Sequence, residues 1–255
     1  AEVDFFTDAN PSRESYSVYA QTTYSLSDDF RIISGLRYSE DTFTTDVTNF
    51  LNVESFQEEG TTDEITSRVV AEVDFSEDIM GYFALAKGFK PGGSNLTFGF
   101  DDDNAPPMVF PTFEAETVDS VELGLKSTFA DGAARANIAV FSYSYENLQF
   151  QATDPDIYRG GVANIPDSEM SGLEIEFTGF ITDSLSLDMN LAFLDSEVTS
   201  DYEVLDNVDA YPYFFGEEDI RYGLRENVKG NQLAKTPELT ADITLKYETN
   251  LASGN

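Results

Sequence analysis

Apolar and polar residues alternate along this chain with a period of two, over runs longer than an ordinary soluble strand. Tyr16, Val18, Ala20, Thr22, Tyr24 and Leu26 share one face of an extended segment, and Ser15, Ser17, Tyr19, Gln21, Thr23 and Ser25 share the other. Successive strand side chains point to opposite sides, so the pattern predicts a β-strand with one mostly apolar and one mostly wet face. The unit recurs eight times. Its apolar members are Phe30, Ile32, Leu36 and Tyr38; Ile65, Val69, Ala71, Val73 and Phe75; Met80, Tyr82, Ala84 and Ala86; and Val121, Leu123, Leu125 and Phe129. The later runs are Ala136, Ile138 and Val140; Leu173, Ile175 and Phe177; Leu185, Leu187, Met189, Leu191 and Phe193; and Leu239, Ala241, Ile243, Leu245 and Tyr247.

The connections alternate in length. Short turns are expected near 27–29, 76–79, 130–133 and 182–184, and long links near 41–63, 90–116, 151–168 and 197–237. Short and long ends on opposite rims are the arrangement of an up-and-down outer-membrane barrel. A strand crossing an apolar band of about 25 Å at a tilt of about 40° needs about 10 residues, which these runs supply. Soluble strands more often have about 5–6. Aromatic residues sit beside every short turn: Tyr24 and Phe30, Phe75 and Tyr82, Phe129, Phe180, and Tyr247 at the end of the last run. Aromatic residues favour strands in general, but this placement also fits a girdle at a membrane–water interface.

Composition narrows the function. The chain has 14 Lys+Arg against 48 Asp+Glu, a formal charge of −34, which repels nucleic-acid phosphates and argues against such a partner. With no Cys and no His, thiol nucleophiles, disulfides, the usual zinc and haem ligands and Ser-His-Asp catalysis are all excluded. No run approaches the roughly 18 apolar residues of a membrane helix. Residues Ala1-Glu-Val-Asp4 have no basic or apolar leader character, so an export signal would lie upstream.

Five motifs in order resemble those of the TonB-dependent outer-membrane receptors. Tyr82–Asn95 is similar to that family's strand ending in a Gly-Phe-Lys-Pro-Gly-Gly turn, here Gly88, Phe89, Lys90, Pro91, Gly92 and Gly93. Phe113–Lys126 resembles its Glu-x-Gly-x-Lys strand, with Val121 where Tyr is common. Ala139–Gln149 resembles the returning strand, Asn164–Glu176 the strand after it, and Gly230–Glu238 the approach to a later one. The resemblance covers roughly residues 15–250. It implies an all-β, antiparallel transmembrane barrel, of which residues 1–255 would be one partial domain. Nine strands would be present of about 22, with the plug domain, the TonB box and the barrel ends outside the chain. Lone sheet edges cannot sit in hydrocarbon, which is the physical reason to expect a fragment. The implied role is energised import of a scarce solute, a ferric siderophore first, with cobalamin or an oligosaccharide as other ligands. Outer-membrane lipid and the TonB complex are the implied partners; no cofactor and no enzymatic activity are implied. A passive porin or structural barrel, and a secreted β-sandwich that binds carbohydrate, are the alternatives.

Candidate ligand residues lie in the long links. Tyr211, Tyr213, Phe214, Phe215, Arg221 and Tyr222 mix exposed rings with guanidinium groups that could grip a chelate or glycan, although loop-on-loop packing would use the same rings. Phe98, Phe100, Tyr158 and Arg159 are weaker candidates of the same kind. Asp101-Asp-Asp-Asn104 could hold Ca²⁺ through hard oxygens; a solvated acidic tip is the plainer reading. On the wet faces, Arg31, Arg37, Arg68, Lys126 and Arg135 are expected to pair with Glu72, Asp74 and Glu122. Glu174 and Glu176 share one face of one strand, which does not make a glycosidase pair.

Overall fold

Each alternating run forms a strand that pairs with the next along the chain, because only a neighbouring strand can satisfy its backbone groups where water is absent. A computed structural model describes residues 7–49, 54–95, 112–153, 160–205 and 225–249. Its strands are β1 (Thr7–Ser25), β2 (Phe30–Asn49), β3 (Glu54–Ser76), β4 (Ile79–Lys90), β5 (Gly93–Ser94), β6 (Thr112–Phe113) and β7 (Glu116–Phe129). They continue with β8 (Ala134–Thr153), β9 (Gly160–Thr182), β10 (Leu185–Val198), β11 (Glu203–Leu205), β12 (Arg225–Asn227) and β13 (Leu239–Tyr247). Nine of them form one antiparallel sheet in the order β1-β2-β3-β4-β7-β8-β9-β10-β13. The pairs β5–β6 and β11–β12 are small ladders inside two long links.

The register sets the tilt. One row of paired residues runs Tyr24, Ile32, Ala71, Phe83, Leu123, Val140, Leu173, Phe193, Leu239. It starts beside the first short turn and ends at the far end of β13, eight residues from Tyr247. The row thus climbs roughly one residue per strand, the stagger that a tilted, closing sheet requires. Every residue in it is apolar or aromatic. The next row, Arg31, Glu72, Tyr82, Gly124, Ala139, Glu174, Ala192, Thr240, lies on the opposite, polar face.

No second layer covers the apolar face among the described residues. Val18, Leu36, Ile65, Leu123, Val140, Ile243 and Leu245 are all more than half exposed, which removes the β-sandwich alternative. Along β7 the belt runs from Val121 to Phe129, a rise of roughly 21 Å at the usual pitch and tilt. That is close to the hydrocarbon height. β1 and β13 pair on one side only among the described residues, so both present edge backbone. Pro11, which lacks an N–H, sits in the edge strand β1, where the missing donor matters least.

Three expectations change. The links over 41–63 and 151–168 are mostly ladder: β2 pairs with β3 out to Asn49 and Glu54, and β8 with β9 out to Thr153 and Gly160. Beyond the belt neither face of a strand meets lipid, so alternation fades while backbone pairing persists. In β4 the apolar outward set is Ile79, Phe83 and Leu85; Met80, Tyr82, Ala84 and Ala86 face the polar side with Asp74, Glu72, Val70 and Arg68. A bulge between Asp74 and Ser76 shifts the register, and a strand apolar on both sides gives alternation no purchase. Tyr82 therefore leaves the expected girdle. Phe180 leaves it too, since it shares the polar-side parity of its partner Ser186. Tyr24, Phe75, Phe129 and Tyr247 stay on the apolar side and exposed.

Candidate functional site

The polar face carries the groups that could meet a solute or a second domain. Near the short-turn rim Arg31 donates from Nε to Glu72 Oε2 and from Nη1 to Asp74 Oδ2, both at 2.6 Å. One guanidinium fork thereby neutralises two carboxylates that share a strand face. The other expected pairings do not form. Glu122 accepts from the Tyr82 hydroxyl at 2.5 Å, and Lys126 Nζ lies 5.4 Å from the centroid of the Tyr82 ring. Arg37 donates to Ser39 Oγ at 2.9 Å; among the described residues Arg68 and Arg135 have no carboxylate partner. A cavity of about 790 Å³ opens beside Asp74, Met80, Lys126, Arg135 and Asn137, lined by both signs of charge. Asn137 in turn donates to Glu176.

Aromatic rings lie over glycines on this face. A Cβ on Gly124 would meet the Tyr82 ring at 2.3 Å, and one on Gly172 would meet Phe141 at 2.6 Å. Phe141 also stacks on Tyr143, with centroids 4.8 Å apart. Apart from Tyr82, these residues escape a search for alternating apolar positions. The available signal is a glycine at wet parity inside a strong strand, which marks close approach of a neighbour.

The Gly88–Gly93 motif closes β4 at the long-link rim. Gly88, Phe89 and Lys90 pair with Val118, Thr117 and Glu116, and Pro91 ends the ladder. Gly92 and Gly93 then pass under Phe113, where a Cβ would lie 2.5 Å from the Phe113 carbonyl oxygen or 2.6 Å from its ring. Only glycine fits there. Arg13 reaches across from β1, donating to the Gly92 carbonyl at 2.6 Å and pairing with Asp41 at 3.3 Å.

The last long link has a structured root. β11 and β12 form its stem, with Tyr202 edge-on to Phe150 at 5.6 Å. Asp201 accepts from Asn227 at 2.9 Å and from Lys229 at 3.3 Å, and these donors hold its carboxyl below its ordinary value. A lowered carboxyl supports the fold above its unfolded value and withdraws that support as pH falls through the folded one. Amide protection at Val204, corrected for intrinsic exchange, should therefore be constant from neutral pH to about 5 and drop below about 4. An Asp201→Asn stem should lack that acid step.

The proposed ligand residues Phe98 and Phe100, Tyr158 and Arg159, and Tyr211, Tyr213, Phe214, Phe215, Arg221 and Tyr222 lie outside the described residues, as does the Asp101–Asn104 tetrad. Their chain positions place them between Asn95 and Thr112, between Thr153 and Gly160, and between β11 and β12.

Residues 3–255 match the family model described as "TonB dependent receptor-like, beta-barrel". The chain is 28% identical over 264 residues to the pesticin receptor of Yersinia enterocolitica, covering 92% of this chain and 37% of the receptor. It is 28% identical over 197 residues to the probable TonB-dependent siderophore receptor PiuA of Acinetobacter baumannii, covering 75% and 25%. In fold it is similar to the ferric yersiniabactin uptake receptor FyuA of Yersinia pestis, with a TM-score of 0.72 at 21% identity over 97% of this chain and 33% of that one. The chain spans little more than a third of the pesticin receptor it matches.

Proposed function

The chain belongs to the TonB-dependent receptor-like β-barrel family, and from that membership we propose that it forms part of the wall of an outer-membrane receptor that imports a scarce solute. A ferric siderophore is the first candidate, with energy drawn from the TonB system and no catalysis by the wall itself. The observation that carries the reading is the pairing of an exposed, mostly apolar face with a charged, hydrogen-bonded polar face on one tilted sheet. Lipid solvates the first; the second lines the route of a polar solute. Two relatives are named as receptors, one of them for siderophores, which fits that cargo.

The test uses the full-length gene in a bacterial host stripped of its own siderophore receptors. Growth under iron limitation should be restored by one class of ferric siderophore among catecholates, hydroxamates and phenolates, and lost when TonB is deleted. Cobalamin and oligosaccharide uptake are the parallel arms. Uptake of many small solutes without TonB, together with open ion conductance in planar bilayers, would replace the receptor reading with a passive porin.

A further inference from the structure

The link between β4 and β7 is not free where it leaves the wall. Both of its stumps, Pro91–Asn95 and Thr112–Ala115, are tied to the neighbouring strands and also to strands further along the sheet. Gly92 N donates to Thr62 Oγ1 of β3 at 3.4 Å, and the Ser94 hydroxyl lies 2.6 Å from Thr45 Oγ1 of β2. The very next residue binds β9: Asn95 Nδ2 donates to the Val162 carbonyl and Val162 N donates to Asn95 Oδ1, both at 2.8 Å. β2 and β9 are five places apart in the sheet, about 24 Å if flat, whereas consecutive Cα atoms are about 3.8 Å apart. The β2–β3 and β8–β9 hairpins therefore curl towards each other above the ends of β4 and β7, and the stumps fill the gap. Asp41, Phe43 and Thr45 of β2 and Ala163 and Ile165 of β9 are buried at this level.

The returning stump is clamped in the same way. Glu114 N donates to Asn164 Oδ1 at 2.8 Å, while Asn164 Nδ2 donates to the Glu114 carbonyl at 3.1 Å and to Asn147 O at 2.7 Å. Gln149 Nε2 spans the two stumps, donating to the Pro91 and Glu114 carbonyls at 3.0 Å each. A carboxamide offers a donor and an acceptor side by side, so it replaces a missing strand partner, which neither a hydroxyl nor a carboxylate can do. The wall spends three such amides on one loop root.

We propose that Asn95, Gln149 and Asn164 are positioning residues for ligand capture, fixing where and in which direction the β4–β7 loop meets the mouth of the barrel. This rests on the receptor reading above. A role confined to wall stability would change the amount of folded receptor. A positioning role changes the apparent affinity of each folded molecule.

The experiment uses full-length receptor in cells, Asn95→Ala and Asn164→Ala variants, and the radioiron-loaded siderophore panel. Folded receptor is counted by its heat-modifiable gel band. The half-saturation concentration should rise on the order of tenfold, about 1.4 kcal/mol, the size of one lost amide clamp at the loop root. The maximal rate per folded receptor should hold. Unchanged half-saturation, with uptake falling only in step with folded protein, overturns the proposal while leaving the receptor reading intact. A parent that takes up none of the panel overturns both. Should a variant fail to assemble, hydrogen exchange on the parent decides: Val162 and Glu114 amides as slow as ladder amides support the clamp, and loop-like rates refute it.

Discussion

Arginine in place of Leu125 is expected to destabilise the barrel by about 2–4 kcal/mol in a bilayer, although Leu125 is 40% exposed in the folded chain. For a protein in water, substitution at so accessible a site usually stays within about 0.5 kcal/mol. The difference lies in the solvent. Leu125 is midway along the β7 belt, in a row with Gly81, Ile138, Ile175 and Leu191, so its exposed surface faces the middle of the hydrocarbon. A guanidinium there must drag water and headgroups inward or give up its hydration. The control is Thr244→Arg on the polar face of β13, opposite Asp188, where the same charge meets water and a carboxylate. It should be neutral within about 0.5 kcal/mol. Denaturant unfolding of the full-length protein in lipid vesicles reads both. Equal small effects at the two positions would mean that the face with Leu125 does not contact lipid.

That contrast also explains what the sequence made legible. Hydrocarbon on one side and water on the other impose a period of two, so the belt portions of β1, β2, β7 and β10, and the whole of β13, could be read from Tyr16–Leu26, Phe30–Tyr38, Val121–Phe129, Leu185–Phe193 and Leu239–Tyr247. Where the two sides are alike, the period vanishes. Thr42–Asn49 and Glu54–Thr61 continue the β2–β3 ladder beyond the belt, where no lipid face imposes the period, and they read as loop. β4 has apolar residues on both faces beside a bulge, and its faces read the wrong way round. The motif around Gly88–Gly93 was visible as a string, but its reason was not. Phe113 and Arg13 reach Gly92 and Gly93, and Asn95 reaches Val162, only after the chain has folded back by tens of residues. Asn, Gln and Gly in a polar link look like any solvated loop until their partners are known. Of the expected ion pairs, only Arg31 found both its carboxylates, because parity places charges on a face but diagonal geometry chooses the partners.

The Tyr82–Gly124 joint gives the second large effect. On Gly124 an added methyl would sit 2.3 Å from the Tyr82 ring, too close for any real contact, so the ring must swing aside and release the Glu122 carboxylate. Overpacking of this kind costs about 1–3 kcal/mol. Gly172→Ala should fall at or above the upper end, because its methyl meets the Phe193 carbonyl oxygen at 2.7 Å and Leu194 at 2.8 Å as well as Phe141. A ring can rotate away; a laddered carbonyl cannot. The obstacle at Gly124 is a single side chain, so removing it should remove the penalty. In a Tyr82→Ala background, Gly124→Ala should be neutral or stabilising by about 0.5–1 kcal/mol, since alanine suits a strand better than glycine once the space is empty. Gly172→Ala should cost the same with or without Tyr82, because that ring is not among its obstacles. The double-mutant cycle in vesicles thus predicts strong coupling for one pair and none for the other. An undiminished Gly124→Ala penalty after loss of Tyr82 would show that the backbone of β7, and not the ring laid across it, is what demands glycine.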